Sequence, residues 1–249
     1  MIQARNLAIA LNGQLIVSRL SFESESHKVI AIMGPSGCGK STLLRGLMGI
    51  HRFSEGEFSI NGQFSNACHW TEQQNVFTLV PQIPLLLPWK TLLNNVAMAA
   101  PRSDSQEVTQ SKAKELLHVV GLADAMHKYP WQVSQGMAAR TSFARTLMLA
   151  SEVLLLDEPF AAIDATTRFR LQLWLLEKIK ELNLQAIIVT HDPRESLLLA
   201  DEVIILRGTP ASIGKVITLP ERAKRQNSDW IYSSEAGALE RQIRVELDL

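Results

Sequence analysis

The segment Gly34-Pro35-Ser36-Gly37-Cys38-Gly39-Lys40-Ser41 limits what this chain can fold into more than any other. It fits the pattern G-x-x-x-x-G-K-[ST]. It follows the apolar run Val29-Ile30-Ala31-Ile32-Met33 and leads into Lys40–Met48, which reads as a helix. Strand, glycine-rich turn and helix in that order point several backbone N–H groups, and the positive end of a helix dipole, at one spot suited to phosphate. In such a loop Lys40 reaches the β- and γ-phosphates of a nucleotide, the Ser41 hydroxyl ligates Mg2+, and Thr42 is a further phosphate donor. Gly34, Pro35, Ser36, Gly37, Cys38 and Gly39 form the cradle. The competing reading, a chance glycine turn before a helix, leaves the full pattern match in that context unexplained.

Other apolar runs place this loop in a larger sheet. Val76–Val80, Val153–Asp157, Ala186–Thr190 and Glu202–Leu206 are short, continuous and bounded by polar residues, as expected of strands covered on both faces. They predict a parallel α/β core. After Asp164, residues Leu171, Trp174, Leu175, Ile179 and Leu182 mark one apolar face of a helix. From about 84 to 150 the chain offers the helical segments Thr91–Ala99, Gln106–Val120 and Gln135–Leu149 with no convincing strand, which predicts a helical subdomain inserted into the core. The first 25 residues and Phe58–Phe64, with an Asn61-Gly62 turn, read as antiparallel strands. Beyond about residue 208 a shorter tail is expected, with a strand at Lys215–Leu219 and a helix at Ala236–Val245. The 249 residues are expected to form one such domain.

Composition removes several classes. With 25 Lys+Arg against 25 Asp+Glu, the chain lacks the basic surplus of a dedicated nucleic-acid binder, so no nucleic-acid partner is expected. Hydrophobic residues at 46% and charged residues at 20% are globular values, which excludes a disordered chain. Two cysteines, Cys38 and Cys68, cannot build a disulfide framework and suit a reducing compartment. No stretch of about 18 apolar residues occurs, so a soluble protein that reaches a membrane only through a partner is expected. Cys68, His69 and His51 lack the spacing of a metal site. Arg222, Lys224 and Arg225 read as a solvated cluster.

The acidic half of the chemistry lies at Val153-Leu154-Leu155-Leu156-Asp157-Glu158. A carboxylate ending a central strand can hold Mg2+ through water, and its neighbour can orient an attacking water. Asp157 is therefore the expected metal residue and Glu158 the general base, a pair that separates a hydrolase from a passive nucleotide binder.

With these residues in place the chain resembles, over nearly its whole length, the ATPase subunit of ATP-binding-cassette (ABC) transporters. The resemblance implies that Gln82 is the Q-loop glutamine, which senses metal and water beside the contact with the membrane subunit. Ala161-Ala162-Ile163-Asp164 matches the D-loop, and His191 in Val189-Thr190-His191-Asp192 the switch histidine. Val133-Ser134-Gln135-Gly136-Met137 stands where the family reads Leu-Ser-Gly-Gly-Gln, the segment that caps the γ-phosphate of ATP on the opposite subunit. Ser134 and Gly136 keep a hydroxyl and a backbone donor, whereas Gln135 puts a long side chain where backbone approaches phosphate, which is expected to weaken the closed dimer or slow turnover. Leu11 occupies the slot in which the family places an aromatic residue against adenine.

Gln82-Ile83-Pro84-Leu85-Leu86-Leu87-Pro88-Trp89, then Asn95-Val96, resembles the taurine, sulfonate and nitrate importer branch, and a thiamine-precursor branch is similar in sequence. What this implies is an ATP- and Mg2+-dependent clamp. Two copies sandwich two nucleotides at the cytoplasmic face of the inner membrane and work integral-membrane permease subunits. A substrate-binding protein is an indirect partner. In that clamp Glu158, His191, Gln82 and Lys40 serve hydrolysis, while Ser41, Gln82 and Asp157 serve the metal. Two other readings stay open beside an exporter ATPase, which only the subfamily resemblance disfavours. One is a soluble cassette ATPase not coupled to transport; the missing coiled coil and the single cassette count against it. The other is a weakly hydrolysing regulator, suggested by Gln135 and Leu11.

Overall fold

The computed structural model describes residues 2–25, 28–60, 62–68, 76–81, 83–149, 151, 153–161, 165–221 and 230–248. The chain opens with β1 (Ile2–Leu11) and β2 (Gln14–Ser24), an antiparallel hairpin closed at Asn12-Gly13, with Leu11 opposite Gln14. β3 (Val29–Met33) then runs into α1 (Lys40–Leu47). β4 (Glu55–Ile60) and β5 (Gln63–Asn66) complete a four-stranded antiparallel sheet of order β2-β1-β4-β5. Asn61 of the expected Asn-Gly turn lies outside the described residues, although Ile60 pairs with Gln63 across it.

β6 (Phe77–Val80) enters a second sheet, and the chain then turns helical. α2 (Leu92–Ala97) is capped by Thr91, whose side chain accepts from the Asn94 N–H. α3 (Gln106–Val119) is capped in the same way by Ser105, and α4 (Gln135–Leu147) by Ser134. Between 84 and 149 the described residues contain no strand. β7 (Val153–Asp157), α5 (Ala165–Glu181), β8 (Gln185–Val189), α6 (Pro193–Leu199), β9 (Glu202–Arg207) and β10 (Ser212–Thr218) follow, and α7 (Ser234–Glu246) closes the chain.

The second sheet has the order β10-β9-β3-β8-β7-β6, and its strands run parallel except for β10, which pairs antiparallel with β9. Its two faces explain the unbroken apolar runs. Ala31, Leu154, Leu156 and Ile188 pack among α2 to α7, whereas Ile30, Ile32, Leu155 and Val189 pack against α1 and the antiparallel sheet. Along β3, β7 and β8, with both faces covered, nearly every strand position is a core position, so alternation disappears from the sequence. α6 is the element that apolar periodicity alone does not reveal. It has seven residues, and its signal is the Asp192 cap followed by Pro193 at the first helical position. Among the described residues no helix is long and apolar enough to cross a membrane.

Candidate active site at the carboxyl ends of β3, β7 and β8

β3, β8 and β7 are adjacent and parallel, so the segments leaving their carboxyl ends converge on one edge of the sheet. Ligands of open α/β sheets bind at such an edge. From β3 comes the glycine loop, whose last residue, Gly39, has φ of 116° as it enters α1. A β-carbon there would sit 3.1 Å from Ile16 Cγ2, so both conformation and space call for glycine. Lys40, the first residue of α1, folds back over the loop and donates from Nζ to the carbonyls of Gly34 and Pro35, each at 2.8 Å. The ammonium is thereby held against the loop, and Lys40 as a whole is 8% exposed. Cys38 is buried beneath it in the apolar layer.

From α1 the Ser41 hydroxyl donates to Asp157 Oδ1 at 3.2 Å, joining the loop to the end of β7. Burial pushes the Asp157 carboxyl up from its ordinary range. The Ser41 hydrogen bond and the Arg45 and Lys40 charges oppose that shift, while the Glu158 charge adds to it. A serine hydroxyl against a carboxylate is a hard oxygen pair, the donor chemistry Mg2+ takes. In a continuing strand Asp157 and Glu158 would face opposite sides. Glu158 instead has φ of 46°, rare for a residue with a side chain, and its N–H donates to the Val189 carbonyl at 3.0 Å. The strand ends there. Glu158 Oε2 lies 3.4 Å from Nδ1 of His191, which follows β8.

The other expected site residues fall into two groups. Ser134 and Gln135 are exposed at the start of α4, with Ser134 Oγ accepting from the Met137 N–H at 3.3 Å, and Gly136 is buried against Thr167. Leu11 is half-buried and packs, like Ile16, on the apolar layer beneath the hairpin. Gln82 and Ala162-Ile163-Asp164 lie outside the described residues, as do His69, Arg222, Lys224 and Arg225.

Thr190 and Glu195 are site residues that motif reading passed over. Thr190 donates to Glu195 Oε2 at 2.5 Å and accepts from the Asp192 N–H at 3.1 Å, which brackets His191. The legible signal was Glu195 three positions after the Asp192 cap, a pattern that marks a helix start. The Pro84–Lys90 loop is also more organised than its composition suggests. Fully buried Asn95 accepts from the Leu87 N–H and donates to the carbonyls of Leu87, Lys90 and Thr91. Arg145 donates to the carbonyls of Pro84 and Leu85. So held, the loop presents Ile83, Leu85 and Trp89, the last 70% exposed.

Comparison with known proteins identifies the family. The profile of the ABC transporter family matches residues 17–161. The chain is 38% identical over 209 residues to the bicarbonate transport ATP-binding protein CmpD of Synechocystis sp., covering 82% of this chain and 72% of that protein. It is 31% identical over 244 residues to the aliphatic sulfonates import ATP-binding protein SsuB of Cupriavidus necator, covering 98% and 78%. CbiO1 of Clostridium perfringens, part of the ABC transporter complex CbiONQ, superposes with a TM-score of 0.80 at 21% identity, over 99% of this chain and 95% of that one. The chain therefore belongs to the ABC transporter family of ATP-binding, ATP-hydrolysing subunits.

Proposed function

We propose that this chain drives uptake of a small oxyanion-like solute, such as a sulfonate, nitrate or bicarbonate, by hydrolysing MgATP against partner permease subunits. The observation that carries the chemistry is the convergence on one sheet edge of Lys40 in its loop, the Ser41–Asp157 pair and the Glu158–His191 pair. Lys40, the loop N–H groups and Thr42 bind the nucleotide phosphates. Ser41 and Asp157, with Gln82, would hold Mg2+, which when bound offsets the negative charge of the β- and γ-phosphates. Glu158 takes a proton from the attacking water, and His191 steadies both Glu158 and the charge that develops on the γ-phosphate. Ser134, Gln135 and Gly136 face the nucleotide of a second copy, so two chains close around two ATP. The exposed Ile83–Trp89 loop is the proposed surface for the permease, with the chain peripheral on the cytoplasmic face of the inner membrane and a substrate-binding protein further along the path. Residues from about 84 to 150 move as the helical unit that carries both surfaces. The relatives named for bicarbonate and sulfonates support the solute class.

Two measurements test this reading. Glu158→Gln should lower kcat about 10²–10⁴-fold with little change in KM for ATP, whereas unchanged turnover would remove Glu158 from the role of base. A tagged chain recovered from gently solubilised membranes should bring a multispanning permease with it, identified by mass spectrometry. Recovery of soluble partners alone would move the reading to a cassette ATPase uncoupled from transport.

A further inference from the structure

Behind the Glu158–His191 pair lies a buried acid that the proposed chemistry does not use. Glu195, in the first turn of α6, is 7% exposed. Its Oε2 accepts from the Thr190 hydroxyl, while its buried Oε1 has no hydrogen-bond partner among the described residues. Oε1 belongs to a side chain that lines a small cavity of about 30 Å³ together with Glu158, Phe160, Arg168, His191 and Asp192. Thr190 is anchored as well: it is buried, and its N–H donates to the Ile32 carbonyl at 3.2 Å. The turn carrying His191 is therefore pinned at Thr190, and the pin ends on the Glu195 carboxylate.

We propose that Glu195 is a positioning residue for hydrolysis: its ionised carboxylate, through Thr190, fixes the turn that presents His191 to Glu158, and protonation of that carboxylate releases the turn. This rests on the roles proposed above for Glu158 and His191. The ionised carboxylate can only accept, so the Thr190 hydroxyl must donate to it, leaving the Thr190 oxygen to accept from the Asp192 N–H. A protonated carboxyl can itself donate to the Thr190 oxygen, which reverses the bond and takes away the acceptor that held the Thr190 hydroxyl. Desolvation raises Glu195 to about 7, and the Asp192 charge adds to the rise. The Thr190 hydrogen bond and the charges of Arg168, on α5, and of His191 oppose it. Glu158, following β7, and Asp192 are the other acids lining the cavity. The switch between the two arrangements thus falls within the physiological range, and the ionised, pinned form prevails as pH rises.

The experiment is the pH profile of ATP turnover by the full chain from pH 5.5 to 8.5, with ATP saturating and circular dichroism confirming the fold at each pH. Wild type should rise through an inflection near 7. Glu195→Gln keeps an acceptor for Thr190 at every pH, so its profile should lose that inflection. Glu195→Leu should lower kcat about tenfold or more with KM for ATP unchanged. If Glu195→Leu does not fold, Thr190→Val is the second variant: it should lower kcat and abolish the inflection, while Thr190→Ser retains it. A wild-type inflection surviving in Glu195→Gln overturns the proposal. So does undiminished kcat in Glu195→Leu or Thr190→Val. Glu158→Gln, run in parallel, separates the two levels. If it is still active, the roles of Glu158 and His191 fail; if it is inactive while Glu195→Gln keeps the inflection, only the positioning role fails.

Discussion

At Leu11 a single side chain stands where relatives are expected to offer adenine an aromatic face. The hairpin that carries it ends in a tight Asn12-Gly13 turn, and Leu11 is half-buried over the same apolar layer that supports the phosphate loop. An aliphatic contact there forgoes the stacking of an aromatic ring, about 1 kcal/mol, so Leu11→Tyr should tighten ATP about fivefold. Isothermal titration checks this, and an unchanged affinity would move the adenine slot elsewhere. Lys40 and Glu158 show how the same scale can be legible or hidden. The position of Lys40 in its motif announces its role, and the structure adds only its two carbonyl partners. The left-handed backbone of Glu158 could not be read from its type. It arises where β7 ends beside β8, at a residue type for which positive φ carries a conformational cost.

Among the elements, α2 and α4 carry the features with the clearest consequences. Asn95 was legible only as half of an Asn-Val pair; in α2 it proves to be the clasp of the Pro84–Lys90 loop. Asn95→Ala would strand backbone groups of Leu87 and Lys90 and should cost about 2–3 kcal/mol in denaturant unfolding. The loosened loop should also copurify less permease, while the chain alone keeps its ATP affinity. At α4 the helix start is sound, since Ser134 caps it, and Gly136 packs closely on α5, where a β-carbon would come within 3.2 Å of Thr167 Cγ2. Gln135 is the exposed position between them. Gln135→Gly should raise ATP-driven dimerisation, read by light scattering, and speed turnover. If neither changes, the side chain at 135 does not hinder the closed dimer.

For the whole molecule, the buried Glu195 links folding to pH. Its folded value, about 7, lies above the ordinary 4.5, so the folded chain binds this proton more tightly than the unfolded chain. The sign follows: stability attached to this group is full below about 4.5 and is lost as pH rises towards 7, by about 3 kcal/mol at most. Glu195→Gln carries no such loss, so its stability relative to wild type should increase from pH 5.5 to pH 8 in urea unfolding. A constant difference would mean that Glu195 titrates normally. The condition that suits the proposed turnover, an ionised Glu195, is thus the one that costs stability, as expected of a strained functional site. What the amino-acid order determined unaided was local or periodic. The phosphate loop is a contiguous motif whose chemistry lies in its backbone, and strands buried on both faces leave continuous apolar runs at Val29–Met33 and Val153–Asp157. The helical stretch between 84 and 149 announced itself by its lack of such runs. Only the tertiary structure decided the rest. Glu195 owes its burial and its neighbours to Arg168 on α5, Glu158 after β7 and Thr190 after β8, residues distant in the chain or on separate elements. A carboxylate's charge depends on the solvent it has lost and the charges brought to face it, and both are set when those elements pack.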